Sequence, residues 1–246
     1  MSPRRVFACL PMFGALLASP AAFPQSIRIV AIGDSNTAGF GVAHDQAFPA
    51  RLEALLRAAG HDARVWNAGV TGDTFYGILT RLDRYVPEGI QIAIVQAGFN
   101  DMLRRTEPML LVSQIGTILS RLHARRVHVV LCGFFYPDWD AVGQALARQH
   151  GAVFVDGGSC YDSSYRSFDG LHMTPAGHQV VAARLLPVID GLVATLRDSA
   201  RTGQARWTRA TKPSRMRLPA DPPASAKATN HGARSAGKSD RNARAE

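Results

Sequence analysis

Cysteine is scarce in this chain, with three in 246 residues. Cys9 lies in an apolar N-terminal run, which leaves Cys132 and Cys160 for a folded domain. That number excludes a disulfide-rich scaffold and any four-cysteine zinc site. Histidine and carboxylate clusters with metal-ligand spacing are lacking, and so is any internal repeat. Long apolar runs are lacking too. The N-terminal one, Val6 to Ala18, is shorter than the ~20 residues of a membrane-spanning helix. Acidic residues are thin at the C-terminus, where Asp198 to Glu246 carry eleven Lys/Arg against four Asp/Glu. The formal charge of +9 is therefore placed unevenly. Ala22 to Arg197 has fifteen residues of each sign and is neutral. Basicity belongs to the ends and does not describe the partner of the middle.

Those ends read as accessory segments. Arg4 and Arg5 precede the apolar run, and Ser19-Pro20-Ala21 follows it with small residues. This is the pattern of an export signal over residues 1–21, with the mature chain periplasmic or secreted and without a transmembrane segment. The tail, 198–246, is rich in Ala, Ser, Arg, Lys and Pro, with Trp207 its one aromatic residue. It lacks the apolar surface to offset the entropy of ordering and is expected to be disordered. Contact with anionic surfaces or polymers and a merely solubilising role both fit it, and nothing in it specifies a nucleic acid. In an exported chain Cys132 and Cys160 either form one disulfide or remain as buried thiols, and the sequence leaves both open.

Between those ends, residues 22–197, strands alternate with helices. Apolar strands are expected at Ile27–Ile32, Ala63–Asn67, Gln91–Ala97, Val127–Phe134 and Ala152–Val155. Helical spacing marks Ala47–Ala59, Thr74–Val86, Pro108–Ala124, Asp138–His150 and Pro175–Leu196. Such alternation implies right-handed crossovers and a parallel sheet covered on both faces. Sites in such sheets form at the carboxyl ends of the strands.

Small polar clusters follow the strands. Gly33-Asp34-Ser35 follows the first, Asn67 to Asp73 the second, and Gly98-Phe99-Asn100-Asp101 the third. Asp169-Gly170-Leu171-His172 follows the fifth, in a long loop. A serine hydroxyl is a weak nucleophile until a base takes its proton. His172 is placed to be that base for Ser35, and Asp169 to orient its imidazole. The negative oxygen formed on attack needs fixed donors. The Ser35 and Gly72 backbone N–H groups and the Asn100 side-chain amide are the natural set. His44 and His178 are rival histidines, of which His178 is expected to pack or face solvent. Asp34, Asp73 and Asp101 are expected to cap and brace loops. Phe40, Phe75 and Phe99, with Tyr76, are candidates to line an acyl or aryl pocket.

Four of these stretches, GDSNTAG, NAGVTGDT, AGFND and DGLH, resemble the sequence blocks of the SGNH hydrolases, the GDSL-type esterases and lipases. The NAGVTGDT block is close to bacterial periplasmic thioesterase and lysophospholipase members. The resemblance covers roughly Ile27 to Leu196. It implies a flavodoxin-like three-layer α/β/α sandwich with a five-stranded parallel sheet. It also implies hydrolysis of an ester or thioester through an acyl-enzyme on Ser35, with no metal or cofactor. Asn36 stands where the family name has leucine, as in carbohydrate- and aryl-ester-acting members. Phe99 is a bulky middle to its block, and the short stretch from Phe134 to Asp138 reduces a loop that lines the acyl site in lysophospholipase members. The substrates implied are small to medium acyl esters or thioesters. A polysaccharide O-acetyl esterase and a silent binding protein of the same fold are the alternatives.

Overall fold

The computed structural model describes residues 26–133 and 137–202. The expected export signal, the tail beyond residue 202 and most of the short Phe134–Asp138 stretch lie outside the described residues. Five parallel strands form one sheet: β1 (Ile27–Gly33), β2 (Ala63–Gly69), β3 (Ile92–Gln96), β4 (His128–Cys132) and β5 (Val153–Val155), in the order β2-β1-β3-β4-β5. The chain first steps from β1 to β2, then returns to place β3 on the other side of β1. That reversal opens a crevice at the carboxyl ends of β1 and β3.

Alternation along the strands sends side chains to two cores. Val30, Ile32, Ala93, Val95, Val129 and Leu131 point to one face. There they meet Phe75, Ile78 and Leu82 of α3 (Phe75–Tyr85) and the inner stripe of α5 (Pro108–Ala124). Ile29, Ala31, Ile92, Ile94, Val130 and Cys132 point to the other. They pack on α2 (Phe48–Ala58) and α8 (Pro175–Thr202). Most of these side chains are wholly inaccessible, and each Val, Leu, Ile or Phe among them contributes about 1.5–3 kcal/mol of burial. The three-layer arrangement expected from the sequence is the one present.

The elements begin and end for local reasons. Pro108 stands at the start of α5, where a missing N–H costs nothing, and Glu107 accepts from the Leu110 amide. Thr74 caps α3 by accepting from the Gly77 amide. Four-residue α1 (Ser35–Ala38) starts at Asp34, which accepts from the Asn36 amide, and stops at left-handed Gly39. α6 (Pro137–His150) covers β4 and β5. The short helices α4 (Phe99–Leu103) and α7 (Gly157–Cys160) were not expected. α8 also runs past the expected Leu196 to Thr202, extending a helix whose packed part ends at Leu192 and Leu196. Its Pro175–Ala200 stretch is long and apolar enough to cross a membrane by length and composition. Val181, Ala182, Leu185, Ile189 and Val193 nevertheless lie buried in the core.

Candidate active site

Ser35 is the first residue of α1, directly beyond the end of β1, and is 8% exposed. Gly33 makes this corner possible. A Cβ there would lie 2.2 Å from the Gln96 carbonyl oxygen and 2.2 Å from the Thr37 hydroxyl. Ser35 Oγ lies 2.9 Å from His172 Nε2. His172 Nδ1 lies 2.6 Å from Asp169 Oδ2. A carboxylate only accepts, so Nδ1 carries the hydrogen and Nε2 is left to accept from the serine hydroxyl. The other Asp169 oxygen accepts from the Leu171 and His172 amides, each at 2.9 Å. The His172 ring hydrogen bond, with the two amides behind it, holds the Asp169 carboxyl down at about 2. Asp169 therefore stays ionised wherever the histidine works.

The donor side is built by the loop after β2. Gly72 is left-handed, at φ 79°, and the space where a Cβ would project is open. The Val70 amide donates to the Gly33 carbonyl at 2.9 Å, which ties this loop to the strand that delivers Ser35. Asn100, in α4, donates through Nδ2 to the Asp73 carbonyl at 2.9 Å, which ties the same loop to the end of β3. That bond uses one of two amide hydrogens and leaves the second for an oxyanion. The Ser35 N–H is the first of its helix and has no intrahelical acceptor. The three sequence-predicted donors thus sit on segments bonded to one another around the serine.

Asp101 is buried and accepts from the Phe75 amide at 3.1 Å through its second oxygen, so it braces the start of α3. Burial raises its carboxyl to about 6, against the pull of that amide. Asp73 pairs with Arg81 at 2.7 Å. His178 is buried in α8, its Nδ1 accepting from the Phe48 amide at 3.2 Å, and burial lowers it to about 4. It is a packed histidine; His44 lies in a short 3-10 turn and makes no triad contact among the described residues.

The aromatic set divides. Phe40 is 47% exposed, with its ring centroid 4.4 Å from that of His172, so it faces the reaction site. Phe99 is half-buried beside Asn100, and Tyr76 is exposed at 62%. Phe75 does not line a pocket. It is wholly buried in the core with Ile78 and Leu82, because it occupies the inward position of α3 at helical spacing from them.

Three residues at this site, Arg81, Gln96 and Tyr161, make contacts that were not anticipated. Arg81 reaches back from α3 to the Ala68 carbonyl at 2.7 Å and the Gly33 carbonyl at 3.1 Å, joining the ends of β1 and β2. Gln96 and Tyr161 bond to the segments carrying the nucleophile and the base. No nearby spacing in the sequence signals any of them. Cys132 and Cys160 form a disulfide, which resolves the choice between bridge and thiols.

A serine, a histidine and an aspartate in relay, on the carboxyl edge of a flavodoxin-like sheet, define a serine hydrolase site. Residues 31–180 match the GDSL-like lipase/acylhydrolase family model, and the chain belongs to that family. It is 31% identical over 128 residues to Esterase TesA of Pseudomonas aeruginosa, covering 51% of this chain. It is 29% identical over 115 residues to an arylesterase of Vibrio mimicus, covering 45% of this chain. The matched stretches span 64% and 56% of those relatives' own lengths. A crystal structure of TesA superposes with a TM-score of 0.62 at 26% identity, covering 67% of this chain and 99% of that one.

Proposed function

We propose that the protein is an exported serine esterase acting on small to medium acyl esters or thioesters. The observation that carries this reading is the unbroken relay from Ser35 Oγ through His172 to Asp169, at 2.9 and 2.6 Å. His172 Nε2 takes the hydroxyl proton as Oγ attacks the acyl carbon. The imidazolium so formed is held by Asp169, while the Ser35 and Gly72 amides and Asn100 receive the oxyanion. His172 then gives the proton to the leaving alcohol or thiol, and an acyl-enzyme remains. Water attacks that ester by the same route in reverse, returning Ser35 and releasing the acid.

The aryl- and acyl-ester side of this reading is supported by Phe40, whose exposed ring stands beside the imidazole. It is also supported by the likeness to TesA and to the arylesterase. The cavity lined by Asp34, Asn36, Gln96 and Tyr161 measures about 10 Å³. It has room for about one water molecule, too little for an acyl chain, and the exposed Phe40 ring beside His172 is the apolar surface we assign to the acyl or aryl group. Export is supported by the N-terminal sequence and by the Cys132–Cys160 disulfide, a bond that persists in oxidising compartments.

The test is hydrolysis of p-nitrophenyl esters from acetate to palmitate, with an acyl-thioester alongside, by the mature protein and by Ser35→Ala. Turnover is expected to favour short and medium chains and to vanish in the variant. Equal, slow hydrolysis by both proteins across the series would overturn the reading.

A further inference from the structure

We propose that Tyr161, set beside the Cys132–Cys160 disulfide, is a positioning residue that joins the histidine loop to the nucleophile helix. It rests on Ser35 and His172 acting as nucleophile and base. Those two residues are 137 positions apart in the chain, and Ser35 Oγ meets His172 Nε2 at 2.9 Å across a seam between α1 and the loop before α8. Something besides that one contact must keep the two sides in register.

The corner at Cys160 and Tyr161 reaches both sides. On the nucleophile side, the Cys160 carbonyl accepts from Gln96 Nε2 at 2.7 Å. Gln96 Oε1 accepts in turn from the Thr37 hydroxyl, also at 2.7 Å. Thr37 is two residues past Ser35 on α1 and wholly buried. On the base side, the Tyr161 hydroxyl donates to the Leu171 carbonyl at 2.6 Å, one residue before His172. Leu171 and His172 give their amides to Asp169, so a shift at Leu171 moves the imidazole and its partner together. The disulfide fastens this corner to the end of β4, with Cα atoms 5.8 Å apart. Both cysteines are 1% exposed and Tyr161 is 7% exposed. The path from sheet to histidine loop and from sheet to α1 is therefore buried and short.

The Tyr161 ring also packs in the core with Met173 and Val181. Tyr161→Phe keeps that packing and removes the hydroxyl alone. Misplacement of a catalytic group by ~1 Å can cost ~10²-fold in rate. Loss of one anchor here is expected to lower kcat about tenfold and leave KM within about twofold. The rate of labelling by a fluorophosphonate should fall with kcat. If the hydroxyl bond were merely structural, its loss would lower the unfolding temperature and leave kcat unchanged where both proteins are folded. Cys132→Ala/Cys160→Ala should reproduce the loss, and the triple variant should lose no more than either, since the groups act in one path.

Wild-type kcat and labelling rate in Tyr161→Phe, measured well below both unfolding temperatures, would overturn the proposal. Full additivity in the triple variant would overturn the disulfide's part in it. If the cysteine variant does not fold, Tyr161→Phe decides alone. Undiminished turnover by Ser35→Ala would instead overturn the esterase reading, so the two failures are distinct.

Discussion

Replacing Asp34 by asparagine should stabilise the protein at pH 8 and change its stability little at pH 4. Asp34 is 3% exposed and caps α1 beside the nucleophile. Burial raises its carboxyl from 3.8 to about 6, although the Asn36 amide and His172 pull it down. In the folded protein it therefore keeps its proton up to about pH 6, whereas the unfolded chain releases it near 3.8. Between those values the folded state binds more protons, so stability falls as pH rises. A gap of roughly two units is worth about 3 kcal/mol. Asparagine offers the same capping oxygen and never ionises. Urea unfolding of both proteins at steps from pH 4 to pH 8 measures the difference, and shared groups that do not interact with Asp34 cancel. The advantage of Asp34→Asn should grow from about 0.5 to about 3 kcal/mol across that range. A constant difference, or one that shrinks as pH rises, would refute the argument.

Asp169→Asn should lower kcat by about 10³–10⁴ with the fold intact, because an amide can donate to Nδ1 and stabilise the wrong tautomer; steady-state ester hydrolysis reads this. Asn100→Ala should lower kcat by about 10²–10³ and leave KM nearly unchanged, since its second amide hydrogen acts on the oxyanion rather than the bound ester. Gly33→Ala places a methyl 2.2 Å from the Gln96 carbonyl oxygen and the Thr37 hydroxyl. It should cost about 3 kcal/mol in urea unfolding and displace Ser35 with the helix it heads.

Much of this structure is legible along the chain. The apolar strands announce a two-sided sheet, and α5 spans Pro108–Ala124 as read, because a proline starts it and its inner stripe is regular. Five-residue α4 and four-residue α7 are too short to show a period, so both read as loop. The core position of Phe75 is legible in helical spacing. With Ile78 and Leu82 it forms the inward row of α3, and that spacing outweighs its position close to the Gly72 loop in the chain. The triad could be read because each member follows a strand and the sheet gathers strand ends. Arg81, Gln96 and Tyr161 could not. Arg81 reaches 48 positions back to Gly33, and Gln96 bonds Thr37 59 positions away and Cys160 64 positions away. Tyr161 reaches only ten residues, but across a loop whose course the sequence does not define.

The most direct test of the account is peptide mapping after reaction with a fluorophosphonate, on the folded wild type and on His172→Ala. A hydroxyl activated by His172 predicts a single phosphonyl adduct on the peptide carrying Ser35, formed at least a hundredfold more slowly without the imidazole. No adduct, an adduct on another residue, or equal rates in the two proteins would contradict it.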